Sequence, residues 1–197
     1  MVAQLCLLTD SEFHPGKFCV GLQRAMEHPR VASIRLGLSA DADDDLKQAS
    51  EILLRMTDGQ NLSVLVENRS DLVRPLGLDG VHLSGGPGQV RSARALLGSE
   101  YTVGANCGTT RHAGIRAGEA GADYVSFGPV FHTGPDGREV ARPELFRWWH
   151  EFTVLPSVAE GGLTANTAHQ LSDCADFLLI EPGVWRSDDS SHGLAGF

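Results

Sequence analysis

Eight short apolar strands, each followed by a helical segment, predict an α/β chain folded as one small (β/α)₈ barrel, the TIM-barrel plan. Three observations carry this. The first is a recurring cassette: Gly121-Ala122-Asp123-Tyr124-Val125-Ser126-Phe127-Gly128-Pro129-Val130-Phe131 runs from a small residue and an aspartate into a buried-type strand that stops at Gly-Pro. Leu78-Asp79-Gly80-Val81-His82-Leu83 stops at Ser84-Gly85-Gly86-Pro87 in the same way, and Ala175-Asp176-Phe177-Leu178-Leu179-Ile180 stops at Glu181-Pro182-Gly183. Each copy follows a helical stretch, as parallel strands joined by helical crossovers require. The second is the alternation itself. The third is negative: Thr9-Asp10-Ser11-Glu12 after the first strand is not the Gly-x-Gly-x-x-Gly of a doubly wound dinucleotide fold.

The elements follow in order. Gln4 to Leu8 reads as the first strand and Lys17 to His28 as a helix closed by Pro29. Val31 to Leu38 is the second strand, with Ile34, Leu36 and Leu38 on one face and Ser33, Arg35 and Gly37 on the other. The acidic run Asp41 to Asp45 suits a helix N-terminus better than a metal. Leu62 to Val66 is strand three, ending at Glu67-Asn68-Arg69, and a short helix from Ser70 leads to the cassette at Asp79. A helix over Gly88 to Leu97 precedes strand five, Tyr101 to Ala105, which closes on Asn106-Cys107-Gly108; the next helix covers Thr110 to Glu119. His132 to Arg142 is the longest irregular stretch and is expected to be functional. Pro143 opens a helix through Trp148-Trp149, a pair suited to packing against the barrel or a partner subunit, which leaves room for a homodimer. Val154 to Ala159 is strand seven, ended by Glu160-Gly161-Gly162, and Ala165 to Ser172 is the helix before the last cassette. The tail 187–197 reads as a truncated or frayed last helix.

At 42% hydrophobic and 21% charged, 197 residues bury one core and make a single domain. A net charge of -9 excludes a general nucleic-acid surface, which needs clustered Lys and Arg. Cys6, Cys19, Cys107 and Cys174 lack Cys-x-x-Cys spacing and read as thiols of a reducing compartment. With neither a leader-like amino terminus nor an apolar run of roughly 20 residues, the expectation is a cytoplasmic protein without a membrane partner.

In a barrel the ligand site lies at the carboxyl ends of the strands. The residues there are Asp10, Arg35, Glu67, Asn68, His82, Asn106, Cys107, His132, Glu160 and Glu181. Glu67 or Glu160, if desolvated, is the candidate general base. An acidic mouth of Glu67, Glu160 and Glu181 suits a cationic ligand; the competing reading pairs these acids with Arg35, Arg69 and Arg138. His82 reads as a hydrogen-bonded barrel residue, and Cys107 has no histidine in its own motif to activate it.

Asp79 to Leu83, Gly121 to Phe131, and Gly161-Gly162-Leu163 with Asn166 resemble the motifs of thiamine-phosphate synthase and its relative, the thiazole tautomerase. The similarity runs from Leu5 to Trp185. It implies a small (β/α)₈ barrel and a transferase of thiamine biosynthesis that joins a pyrimidine methyl diphosphate to a thiazole phosphate with Mg²⁺. The family's Gln-x-Arg-x-Lys meets Arg35-Leu36-Gly37-Leu38-Ser39 here, its Asn-Asp meets Glu67-Asn68, and its Gln-x-Asp meets Gly85-Gly86-Pro87. The serine or histidine positions after strand five meet Asn106 and Gly108, and Thr-x-Thr-Lys meets Thr133-Gly134-Pro135-Asp136.

The resemblance places a ligand pocket at Arg35, Glu67, Asn68, Asn106, His132, Thr133 and Glu181, and a phosphate at the amides of Gly161, Gly162 and Gly183. Glu160 and Pro182 oppose that phosphate, one by charge and one by lacking an N–H, unless Arg35 or Arg138 compensates. Diphosphate departure needs its charge neutralised, so the expectation is a diverged member without the usual synthase reaction and without a cofactor, Mg²⁺ entering only if the synthase reading holds. The alternatives are a non-catalytic relative that binds a small, possibly thiamine-related molecule or is purely structural, and an active synthase, isomerase or lyase using other residues.

Overall fold

The chain is described by a computed structural model covering residues 2–12, 14–38, 43–131, 139–185, 194 and 197, with 15–18 described by their backbone. Its strands are β1 (Gln4–Leu8), β2 (Val31–Leu36), β3 (Ser63–Glu67), β4 (Gly80–Leu83), β5 (Thr102–Asn106), β6 (Tyr124–Phe127), β7 (Ser157–Ala159) and β8 (Phe177–Ile180). They pair in parallel in chain order, and β1 against β8 closes the barrel, with Leu5 opposite Leu178. The helices are α1 (Pro15–Met26), α2 (Asp43–Thr57), α3 (Ser70–Leu76), α4 (Val90–Leu97), α5 (Arg111–Glu119), α6 (Pro143–Phe152), α7 (Ala165–Ala168) and α8 (Pro182–Trp185).

The expected strands and helices up to Trp185 are present, with shifted ends, and the tail 187–197 lies outside the described residues except for 194 and 197. Helix α1 begins two residues early because Pro15 supplies a preset φ at its first turn. Strand β7 begins at Ser157 rather than Val154, since Pro156 has no N–H for the ladder and Val154 is fully exposed. Strand β2 stops at Leu36, and α7 gives way to turns after Ala168. The acidic run does lie at a helix start: Asp43, Asp44 and Asp45 occupy the first turn of α2.

Strand parity sorts the side chains. Leu5, Leu7, Ile34, Leu36, Val64, Val66 and Val81 pack outward against helix residues such as Leu22, Leu46, Leu53 and Phe146 in the main core. Trp149 joins them against Phe127, whereas Trp148 stays half-buried beneath the Arg111 guanidinium. Alternate residues point into the barrel, where Cys6, Val158 and Leu179 form a smaller cluster with Leu8, Tyr124 and Phe177. Gly104 makes space for the largest of these. A Cβ there would stand 2.0 Å from the Tyr124 ring.

The cassette aspartates bind the strands at their amino ends, each in a two-bond exchange with the strand before. Asp79 accepts from the Val64 N–H at 2.7 Å through Oδ2 and donates its own N–H to the Val64 carbonyl at 2.9 Å. Asp123 does the same with Val103, at 2.7 and 2.8 Å, and Asp176 with Ser157, at 2.8 and 3.1 Å. A short polar side chain at the turn thus satisfies a donor that the parallel ladder leaves unpaired. Asp79→Ala strands the N–H of the buried Val64 and is expected to cost about 1–3 kcal/mol in urea unfolding, with the barrel fold kept.

Candidate active site

The inward parity of β2 carries Arg35 into the barrel, where it is 1% exposed. A buried guanidinium needs counter-charge, and the ends of neighbouring strands provide it. Arg35 Nη1 donates to Glu160 Oε2 at 3.0 Å and lies 3.6 Å from Glu67 Oε1. Asn106 Nδ2 donates to the other oxygen of Glu160, while Asn106 Oδ1 accepts from the Gly108 N–H at 2.9 Å. One carboxylate is therefore held by a cation and an amide from two different strands.

Beneath this layer His82 Nδ1 and the Tyr124 hydroxyl are 2.9 Å apart, their rings stacked, and His82 Nε2 stands 4.0 Å from Glu160 Oε2. Burial, with Arg35 adding repulsion, holds the His82 imidazole well below its ordinary pKa and hence neutral. Burial also raises the Tyr124 hydroxyl. The Glu67 carboxyl is raised by burial, against the opposing pull of Arg35. Cys107, buried at the exit of β5, is pushed up to about 12 by burial and by Glu160, so its thiol is no nucleophile at neutral pH. Glu67 keeps the properties of an acid/base group, whereas both oxygens of Glu160 are engaged.

Several expectations change here. Glu67 and Glu160 do not form an open acidic mouth, because Arg35 draws both inward. Arg69 does not serve these acids; it pairs with Asp43 and Asp71. Asn68, expected in the pocket, sits at φ 58 at the strand exits and clasps β3 to β4, accepting from the Ser84 N–H at 2.8 Å and donating to Ser84 Oγ at 3.3 Å. Glu181 offers its carbonyl to the Val184 N–H at the start of α8, and no ion pair of its carboxylate occurs among the described residues. His132, Thr133 and Arg138 lie outside the described residues.

Gly161 and Gly162, at φ 84 and 78, hold a backbone that side-chain-bearing residues rarely adopt, and their N–H groups donate to no other described residue. Glu160, expected to repel an anion there, has its charge balanced by Arg35. Gly183 follows Pro182 in α8, a helix tied to β1 by a 2.7 Å bond from the Trp185 indole to the Leu8 carbonyl. Sequence reasoning missed Tyr124, Ser126 and Cys6 as interior polar groups. Carrying the Ser33/Arg35 parity around all eight strands would have found them.

Removing the cation exposes the design. Arg35→Met leaves Glu160 and Glu67 buried without counter-charge and is expected to lose about 3–5 kcal/mol at neutral pH, less in acid where the carboxyls take up protons. Because the folded pKa of Glu67 is raised, the native state keeps its proton at pH values above the ordinary glutamate pKa, where the unfolded chain has lost it. Stability from this group therefore falls as pH rises through that window. Glu67→Gln should flatten that slope in urea titrations run at successive pH values.

Comparison with known proteins agrees with the fold and motifs. Residues 5–177 match the family model described as thiamine monophosphate synthase. A thiamine-phosphate synthase of Rhodospirillum centenum is 38% identical over 185 residues, 93% of this chain and 89% of the relative. One from Hyphomonas neptunium is 36% identical over 87% of this chain and 80% of its own. Among solved structures, thiamine phosphate pyrophosphorylase from Pyrococcus furiosus superposes with a TM-score of 0.78 at 23% identity, covering 94% of this chain and 89% of that one. A closed eight-stranded barrel, a family match across nearly its whole length and relatives above one-third identity together establish that the chain belongs to the thiamine monophosphate synthase family.

Proposed function

We propose that this family member binds a phosphorylated small heterocycle of the thiamine type at the carboxyl end of its barrel and does not carry out magnesium-dependent diphosphate displacement. The single observation behind this is the commitment of Arg35. A diphosphate-leaving site needs cations free to meet developing charge, and here the interior guanidinium is already held by Glu160, with Glu67 3.6 Å away.

The donor set also disagrees with Mg²⁺, a hard cation that takes carboxylate and water oxygens. Asn68, at the position of a family metal aspartate, is a neutral amide whose ends are both bonded to Ser84, and Pro87 occupies the second acidic position. Among the described residues no three His, Cys, Asp or Glu side chains are grouped to hold a metal. What favours retained binding is the pair of undonated amides at Gly161 and Gly162, together with a balanced charge on Glu160. The partners in this reading are small molecules, not nucleic acid or membrane, in a cytoplasmic setting; among the described residues no helix is long and apolar enough to cross a membrane.

An active synthase is the second reading, favoured by the names of the relatives and by the same open amides. The two separate cleanly. Thiamine phosphate near saturation should raise Tm by about 5 °C or more, thiamine by far less. Synthesis of thiamine phosphate from the pyrimidine diphosphate and thiazole phosphate with Mg²⁺ should fall at least about 10²-fold below typical enzyme turnover. Ordinary turnover establishes the synthase instead, and indifference to every phosphorylated ligand removes the binding reading.

A further inference from the structure

The seam between α5 and α6 keeps large apolar side chains in water. Ile115 on α5 is 42% exposed, Phe152 at the end of α6 is 62% exposed, and Val154 just beyond it is fully so. These residues adjoin. Arg111 and Ile115 lie four positions apart and share one side of α5. The Arg111 guanidinium rests 4.5 Å over the ring of the half-buried Trp148, and Trp148 in turn stacks on Phe152 with ring centroids 5.3 Å apart. Further along, Gly118 leaves room for Leu155: a Cβ there would stand 3.2 Å from it. The other large apolar side chains left exposed among the described residues, Val2, Val20 and Leu96, come one each from three other stretches of the chain. Single exposures of that kind are ordinary, whereas a contiguous aromatic and aliphatic patch marks an interaction surface.

We propose that this seam is the surface through which two copies of the chain pair, about a twofold axis running along it. The charges on its two sides select a second copy. Arg116 on α5 and Glu151 on α6 are exposed and make no ion pair among the described residues, whereas Glu144 is already matched with Arg147 at 3.5 Å. An axis along the seam exchanges its sides, so α5 of each copy faces α6 of the other. Arg116 of each then meets Glu151 of the other, the reciprocal pattern of an isologous contact. Position along the helices fits this pairing. With Arg111 beside Trp148 as the common level, Arg116 lies five residues on and Glu151 three. Two residues of helical rise separate them by about 3 Å, well within the sweep of an arginine side chain. The patch also has the anatomy of a protein interface, an aromatic centre of Trp148 and Phe152 ringed by charge.

The test is sedimentation velocity of the full chain over roughly 1–100 µM. A species of twice the 21.1 kDa chain mass is expected. Phe152→Glu should raise the Kd of pairing at least about tenfold while circular dichroism stays unchanged. Val154→Glu, at a fully exposed position, should weaken pairing in the same direction and serves if the first variant fails to fold. Glu151→Arg and Arg116→Glu should each weaken pairing and, combined in one chain, restore it, since both reciprocal pairs are then rebuilt with their signs exchanged. A chain that stays monomeric over the whole range, as a seam kept for a different partner or left bare requires, overturns the proposal. So does a dimer that Phe152→Glu and Val154→Glu leave intact, or a pair of charge reversals that fail to rescue one another.

Discussion

A single cation sealed inside the barrel dictates much of what surrounds it. Moving an ion of this size from water into a protein interior costs several kcal/mol even after relaxation, so Arg35 is tolerable only because Glu160 and Glu67 close on it from the ends of β7 and β3. Asn106 at the end of β5 then fixes the second oxygen of Glu160. Through Glu160 the cluster therefore ties β2, β5 and β7, which are not neighbours in the sheet, across the barrel axis, where apolar layers usually do that work. It also spends the ionic groups on one another, which leaves the carboxyl end with backbone amides as its most available hydrogen-bond donors to an anion.

The two ends of the strands are organised by different chemistry. At the amino ends, Asp79, Asp123 and Asp176 each exchange two bonds with the strand before, locking β3 to β4, β5 to β6 and β7 to β8. At the carboxyl ends, Asn68 clasps Ser84 while Gly161 and Gly162 leave their N–H groups open. Rigid lower seams let the upper loops vary in residue type while the barrel persists. Family membership thus fixes the scaffold more firmly than the reaction.

Much of the fold was legible in the chain. The cassette located three strands and their turns, and the contrast of Ser33 and Arg35 with Ile34 and Leu36 named the inward face of β2 correctly. The aspartates, however, read only as turn residues, because nothing in a linear sequence shows that the Asp79 carboxylate reaches the N–H of Val64, fifteen positions back. The rim acids failed in a different way. Glu67, Glu160 and Glu181 looked alike at their strand ends, yet Arg35 lies within reach of the first two only.

Periodicity, turn residues and motif order are local properties, written within a few positions of one another, and from them the sequence by itself determined eight strands, their helices, a closed parallel barrel and a kinship. Electrostatic pairing depends instead on distances between residues 35, 67, 106 and 160, set only when the sheet closes and strands two, three, five and seven face one axis. Tertiary structure alone therefore decided that the interior arginine is neutralised from above by Glu160 and Glu67.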